Sequence, residues 1–176
     1  MYVNEAKVLP KPLRWFYFAD CFRYERPQKG RYRQFWQFGV ELIGADTPRA
    51  DAETILLADE LLKAPGVPSD IHVGHLAPMK HLLSGLDPDA RAKTMAFLDK
   101  RDFDGLAGFL DGIGRPDLEG RLRDLAHART PEELFAITGE IPEKDRILRL
   151  IEILDRNGLA YTLDFGIARG LDYYTG

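Results

Sequence analysis

The sequence predicts an α+β fold in which an antiparallel β-sheet is flanked by helices and carries a small helical insertion. Two runs of alternating polar and apolar residues, joined by a turn, occupy about residues 14–44 and predict a β-hairpin. Helical periodicity follows over about 45–64 and returns over about 143–157. The chain therefore divides into a first core part (1–85), a helical insertion (86–142) and a second core part (143–176).

The alternation places odd-numbered side chains of the hairpin on one face and even-numbered ones on the other. Closing the hairpin about Gln28, between Pro27 and Gly30, pairs odd positions with odd ones, whereas a slip of one residue would bury charges. The even face is expected to be core, with Phe16, Phe18, Phe22, Tyr24, Tyr32, Gln34, Trp36, Phe38, Val40 and Leu42. The odd face is expected to be a ligand site, with Arg23, Glu25, Arg31, Arg33, Phe35, Gln37 and Glu41.

Positive charge is concentrated at the hairpin turn, although the whole chain has a formal net charge of −4. Arg23, Arg26, Lys29, Arg31 and Arg33 face a single carboxylate, Glu25. Such a cluster in an acidic protein favours a polyanionic ligand, while the overall charge argues against broad nonspecific nucleic-acid binding.

The remaining composition narrows the class of protein. A single cysteine, Cys21, excludes an internal disulfide, and His72 and His75 have no further pair with which to hold a metal. The sequence contains no apolar run long enough to span a membrane and no signal-peptide core, so we expect a cytoplasmic protein.

Outside the hairpin, the pattern predicts a strand around Ile71 and Val73, a short helix over 76–85 and strand character from about residue 160 onward. Glycine and proline residues divide the insertion into short amphipathic helices. We expect this insertion to be less hydrophobic than the hairpin.

Two stretches resemble the histidyl-tRNA synthetases, a family of class II aminoacyl-tRNA synthetases. Residues 23–41, RYERPQKGRYRQFWQFGVE, resemble motif 2 of that class in its histidine-specific form. Residues 169–174, RGLDYY, resemble the histidine-specific segment of the family. The resemblance implies the antiparallel sheet of the class II catalytic core. It covers the middle of the catalytic domain without motif 1, motif 3, the acidic substrate-binding loop or the anticodon-binding domain, so we expect an internal fragment.

The resemblance also implies substrates and residue roles. The substrates are ATP, with Mg²⁺ on its phosphates, histidine, and the acceptor end of tRNA; the family is homodimeric. For ATP it implies Arg23 on the α-phosphate, Glu25 on the adenine side, Phe35 stacked on the base and Arg31 at the terminal phosphates. For histidine it implies Arg23, Gln37, Glu41, Arg169, Tyr173 and Tyr174, with Arg23 and Arg169 as the catalytic cations. Glu41 is the expected partner of a ring N–H and Gln37 of the amino or carboxyl end.

Two other interpretations stay open. A synthetase-like paralogue serves as a non-catalytic regulatory subunit of ATP phosphoribosyltransferase, and a synthetase-like domain could sense histidine or uncharged tRNA. Arg23, Gln37, Glu41 and the segment 169–174 are intact, which favours the enzyme over a regulator. Because half of the ATP clamp and half of the amino-acid pocket are missing, we expect the chain alone not to sustain aminoacylation.

Overall fold

The computed structural model of the chain describes residues 5–24 and 26–167. Its elements, in chain order, are β1 (Leu13–Phe22), β2 (Gln34–Ile43), α1 (Pro48–Lys63), β3 (His72–Val73), α2 (Leu76–Leu82), α3 (Pro88–Asp99), α4 (Phe103–Gly112), α5 (Asp117–His127), α6 (Pro131–Thr138), α7 (Lys144–Arg156) and β4 (Thr162–Leu163). This α+β architecture confirms the predicted fold class, and the predicted helices over 45–64, 76–85 and 143–157 correspond to α1, α2 and α7.

Strands β1 and β2 form an antiparallel hairpin in the predicted register. Leu13 pairs with Ile43 at the open end and Phe22 with Gln34 near the turn, so that paired residues are centred on Gln28. The ladder continues one step further, because the backbone N–H of Arg23 donates to the carbonyl oxygen of Arg33 at 2.8 Å. Odd-numbered residues therefore lie opposite odd-numbered residues over the whole hairpin.

Helix α1 joins the open end of the hairpin to α7. It begins at Pro48 behind an N-cap, where the hydroxyl of Thr47 accepts from the backbone N–H of Ala50. Arg14 of β1 holds Glu53 of α1 through two hydrogen bonds, one of them 2.7 Å long between Nη2 and Oε2. These contacts fix the direction in which the hairpin leaves the helices.

Helices α1 and α7 bury a small core with β3 and β4. Its buried members are Ala52, Val73, Leu150, Leu154 and Leu159. Arg146 of α7 crosses to α1 and donates to Asp51 from Nη2 at 2.7 Å, and it also pairs with Asp46 in the loop before α1. An arginine and two carboxylates thus join the two helices at the edge of this core.

The largest core lies in the helical insertion, so the expectation of a weakly hydrophobic insertion is wrong. Its leucines recur three to four residues apart on short helices and face one another, so that each is removed from water. The most deeply buried are Leu106, Leu110, Leu118, Leu122, Leu125 and Leu134. Met79 and Leu83, around α2, and Phe165, after β4, complete the same cluster.

The even face of the hairpin is exposed, so the prediction that it is core is wrong over most of its length. Phe16, Phe18, Phe22 and Trp36 expose 65–75% of their surface, although Phe18 and Trp36 stack on each other with ring centroids 4.9 Å apart. Among the described elements, helix α1 covers the open end of this face, where Val40 and Leu42 are half-buried. Apolar alternation identifies a face but not the layer that must cover it.

Strands β3 and β4 form a short parallel pair that leads to the end of the described chain. The backbone N–H of Asp164 donates to the carbonyl oxygen of Val73 at 2.9 Å, and Asp164 is 4% exposed. Its oxygens lie 3.4 Å from Arg101, 3.5 Å from Arg129 and 3.7 Å from His72. A turn over 164–167 is therefore tied to β3 and to two loops of the insertion. The rest of the strand segment predicted from residue 160, from 168 onward, lies outside the described residues, and the division of the chain into three parts stays a prediction.

Candidate active site

The predicted site residues of the hairpin are aligned by its register. Phe35 lies opposite Cys21, Gln37 opposite Ala19, Gly39 opposite Tyr17, and Glu41 opposite Trp15. All of these positions are odd-numbered, and side chains two residues apart in a strand share a face. The odd face of the hairpin thus brings together Arg23, Phe35, Gln37 and Glu41, four of the predicted ligand residues.

Arg23 and Phe35 are in direct contact at the turn end of this face. The guanidinium carbon of Arg23 lies 4.1 Å from the centroid of the Phe35 ring, within the range of a cation–π interaction. The Nε of Arg23 also donates to the carbonyl oxygen of Tyr32 at 3.3 Å. These contacts hold a cation and an aromatic ring, the two groups predicted to meet ATP, side by side.

Gln37 is held by a tyrosine on the neighbouring strand. Its Nε2 donates to the hydroxyl oxygen of Tyr17 at 2.6 Å. The Tyr17 ring reaches this position by crossing Gly39, where a Cβ atom would overlap the ring and the hydroxyl. Because Gly39 has no side chain, the Tyr17 ring can lie over this position on the odd face.

Tyr17 and Gly39 were not among the predicted site residues. Tyr17 lies in the first run between the more conspicuous Phe16 and Phe18, and only its odd number assigns it to the polar face. The glycine inside an otherwise β-forming strand was the available signal, because such a glycine often marks the close approach of another group.

Glu41 is half-buried at the open end of the odd face, opposite Trp15. With Trp15 it lines a cavity of about 160 Å³ between the hairpin and α1, whose other walls include Arg14, Leu42 and Glu53. The hydrogen bond from Arg14 lowers the pKa of the Glu53 carboxyl below its usual value. Arg23, Phe35 and Gln37 do not line this cavity.

The other predicted site residues are apart from this group or outside the described chain. Arg31 lies exposed in the hairpin turn, where its backbone forms an antiparallel bridge with Gln28 and Gly30 takes a positive φ of 79°. Glu25, Arg169, Tyr173 and Tyr174 lie outside the described residues. Their roles, like those of Arg23, Phe35, Gln37 and Glu41, stay predictions.

His72 and His75, the two histidines considered as metal ligands, have other contacts in the structure. His75 is the N-cap of α2 and accepts from the backbone N–H of Ala77 through Nδ1 at 3.1 Å. Burial lowers the pKa of His75, the positive charge of Arg146 lowers it further, and Asp51 opposes the shift. Within residues 5–24 and 26–167, no three His, Cys, Asp or Glu side chains form a group that could hold a metal ion.

Comparison with known proteins assigns the chain to a family. The model of the family described as histidyl-tRNA synthetase matches residues 2–176. The chain belongs to the histidyl-tRNA synthetase family. Proteins named histidine–tRNA ligase from Methanoculleus marisnigri and Methanoregula boonei are 63% and 64% identical to it over 176 residues. The alignment covers the whole of this chain but 43% of the length of each of these relatives.

Solved structures share the fold of this family member. A structure from Bacillus halodurans, described as an ATP phosphoribosyltransferase regulatory subunit/histidyl-tRNA synthetase, matches 99% of the chain and 49% of its own length, with a TM-score of 0.84 and 24% identity. An ATP phosphoribosyl transferase complex from Thermotoga maritima contains a chain that matches with a TM-score of 0.72 and 18% identity. At these identities the likeness concerns the fold alone.

Proposed function

We propose that this chain carries the histidine- and ATP-binding face of a histidine–tRNA ligase. The observation that supports this most is the alignment of Arg23, Phe35, Gln37 and Glu41 along one face of a hairpin whose register is centred on Gln28. The face offers a cation and an aromatic ring at the turn end and an amide and a carboxylate toward the open end. ATP would lie toward the first pair and histidine toward the second.

The proposed reaction begins with activation of the amino acid. A carboxylate oxygen of histidine attacks the α-phosphorus of ATP, the bond from that phosphorus to the bridging oxygen breaks, and pyrophosphate leaves with the electron pair. The carboxylate of histidine is already ionised, so this step needs alignment and positive charge rather than a protein base. We assign Arg23 to the α-phosphate, because a guanidinium can donate two parallel hydrogen bonds. Arg169 would supply the second cation.

ATP binding would move Arg23 relative to Phe35. The guanidinium is stacked on the ring that we assign to adenine. In the proposed complex it turns to the α-phosphate and adenine stacks on Phe35. Arg31, exposed in the turn, would approach the terminal phosphates, and Glu25 the adenine edge.

Selection of histidine would depend on its imidazole. The ring carries two nitrogens, and a site that pairs both is left with unpaired polar groups when a ring without nitrogens enters. Glu41 would accept from one ring N–H, while one of Tyr173 and Tyr174, with Tyr174 favoured, would contact the other side of the ring. Gln37 would contact the other end of the amino acid.

In the second step, the activated histidine passes to the tRNA. A hydroxyl of the 3′-terminal ribose attacks the carbonyl carbon of histidyl-adenylate to form an ester. The bond from that carbon to the phosphate oxygen breaks, AMP leaves with the electron pair, and the hydroxyl proton is released. We propose Mg²⁺ as the ion that balances the charge of the ATP phosphates. The ion would bind oxygens of the ATP phosphates, the kind of hard ligand that Mg²⁺ prefers.

The same family resemblance supports a cytoplasmic homodimer as the working form. None of the described helices is long and apolar enough to cross a membrane. The second candidate function is a non-catalytic subunit of ATP phosphoribosyltransferase, because the descriptions of two solved proteins with this fold name that enzyme. The intact Arg23, Gln37 and Glu41 favour the ligase.

Amino-acid-dependent exchange of pyrophosphate into ATP tests the proposal. The protein for this test is a full-length chimera in which the chain replaces the matching 43% of the Methanoculleus marisnigri relative. We expect exchange with histidine and none with phenylalanine, which lacks ring nitrogens. Absence of exchange, together with stimulation of an ATP phosphoribosyltransferase catalytic subunit, would instead establish the second function.

A further inference from the structure

Tyr17 has no role in the function proposed so far, yet it lies between the two residues assigned to histidine. We infer that Tyr17 is a positioning residue of the histidine site, which orients the Gln37 amide and forms the floor between Gln37 and Glu41. This inference rests on the proposed function, because it concerns the same odd face.

The first observation is the place of the Tyr17 ring. Tyr17 pairs with Gly39, and Gly39 lies midway between Gln37 and Glu41 on β2. The ring occupies the volume that a side chain at position 39 would fill, since a Cβ there would overlap Cζ, Cε1 and Oη of Tyr17. A flat aromatic surface therefore covers the strand between the amide and the carboxylate.

The second observation is the direction of the Gln37 amide. Its Nε2 donates to the Tyr17 hydroxyl, so one amide hydrogen is taken up within the protein. The carbonyl oxygen is at the other end of the amide plane and carries two acceptor lone pairs. We infer that this oxygen is the end of the amide that meets the ligand, where it would accept from the ammonium group of histidine.

Together these contacts give the phenol two separable functions. Its hydroxyl holds an exposed glutamine in one orientation, and its ring gives the ligand an apolar surface to lie on. A free glutamine side chain loses rotamer freedom when it binds, and fixing it beforehand removes part of that loss. Tyr17 should therefore affect histidine binding more than ATP binding.

Histidine affinity of a Tyr17→Phe variant of the full-length chimera tests the hydroxyl. We expect binding of histidine to weaken about tenfold by calorimetry, as for the loss of one hydrogen bond. Histidinol, which keeps the ammonium group but lacks the carboxylate, should weaken by the same factor. Imidazolepropionate, which lacks the ammonium group, should bind both proteins equally. Tyr32→Phe removes a hydroxyl from the exposed even face of the same hairpin and should change none of these affinities.

A double-mutant cycle tests the ring. Gly39→Ala should weaken histidine binding because the new methyl group displaces the Tyr17 ring. In a Tyr17→Ala background the same Gly39→Ala change should have almost no further effect, because the clash is gone. Additive losses in the cycle would show that the two positions act independently and would overturn the role of the ring.

The outcomes separate this inference from the proposed function. A chimera that binds no histidine contradicts the proposed function itself. A chimera that binds histidine equally well with and without the Tyr17 hydroxyl contradicts only the positioning role. The side-chain amide resonances of Gln37 in the 176-residue chain provide a readout without ligand: they should shift in Tyr17→Phe and not in Tyr32→Phe, and unchanged resonances would overturn the inferred orientation of the amide.

Discussion

Arg23 lies across the ring of Phe35, with its guanidinium carbon 4.1 Å from the ring centroid. The two residues are on different strands, since Arg23 continues β1 and Phe35 belongs to β2. The register brings them together because Arg23 lies opposite Arg33, two residues before Phe35. A single contact thus joins the two residues assigned to the phosphate and the base of ATP.

Replacing Phe35 by leucine should weaken ATP binding and largely spare histidine binding. Stacking of a base on an aromatic side chain contributes about 1–3 kcal/mol, so the KM for ATP in pyrophosphate exchange should rise roughly tenfold to a hundredfold. The matched control is Phe38→Leu on the even face. An equal rise in both variants would mean that the substitution acts through the stability of the hairpin, and no rise in Phe35→Leu would exclude the stacking role.

Replacing Glu41 by alanine should have the opposite selectivity. A hydrogen bond to a charged group contributes about 1.5–3 kcal/mol, so the affinity for histidine should fall by roughly one to two orders of magnitude, with little change for ATP. Calorimetric titration of the full-length chimera with each ligand measures both. Glu60→Ala, which removes an exposed carboxylate from α1, is the control. Unchanged histidine affinity in Glu41→Ala would remove Glu41 from the site.

The sequence was sufficient to predict the hairpin, its register and its polar face. Period-two alternation and the turn around Gln28 determine which residues pair, and these features are local. Coverage of the even face could not be predicted, because whether Phe16 or Trp36 is buried depends on which layer packs against the hairpin. For the same reason the hydrophobic core of the insertion was underestimated from the sequence. Its leucines are sparse along the chain, and they form a core only when four short helices meet.

In the site, too, features that depend on local sequence could be predicted, and contacts between distant residues could not. The positions of Arg23, Phe35, Gln37 and Glu41 follow from parity alone. The contact of Tyr17 with Gln37 depends on a diagonal approach across the ladder, which requires the space above Gly39. The cluster around Asp164 could not be predicted from the sequence, because the neighbours Arg129, Arg101 and His72 lie 35 to 92 positions earlier in the chain.

Protonation of His75 should destabilise the fold at mildly acidic pH. Burial lowers its pKa in the folded chain below the usual 6.5, so the unfolded chain binds the proton more readily. The stabilisation is therefore fully present above about pH 6.5 and is lost as the pH falls through the lower folded-state pKa. Urea unfolding of wild type and His75→Asn at several pH values measures it, because asparagine keeps an N-cap oxygen but does not titrate.

The difference in stability between wild type and His75→Asn should change over this pH range in favour of the variant as the pH falls. His81→Asn, at an exposed position of α2, should follow the wild-type curve. Parallel curves for wild type and His75→Asn would contradict the predicted contribution of His75.

Removing the carboxylate of Asp164 should destabilise the chain. Asp164→Ala takes away the acceptor of the Gly166 N–H, 3.0 Å from Oδ1, and the group that faces Arg101 and Arg129. A loss of about 1–3 kcal/mol in the free energy of unfolding is expected for such an unpaired group. Asp70→Ala, at an exposed position before β3, should stay within about 0.5 kcal/mol of wild type. Equal stability of the two variants would show that the Asp164 cluster contributes nothing.

The most direct test of the proposed site is the burst of pyrophosphate that accompanies formation of histidyl-adenylate in a single turnover. It is measured in the full-length chimera with Arg23 and with lysine in its place. We predict that the chimera with Arg23 releases close to one pyrophosphate per site in a rapid burst that requires histidine. Arg23→Lys should keep the positive charge but slow the burst by about a hundredfold or more, because the two parallel donors are lost. A burst that is equally fast in both proteins, or one that does not depend on histidine, would contradict the assignment of this face to histidine activation.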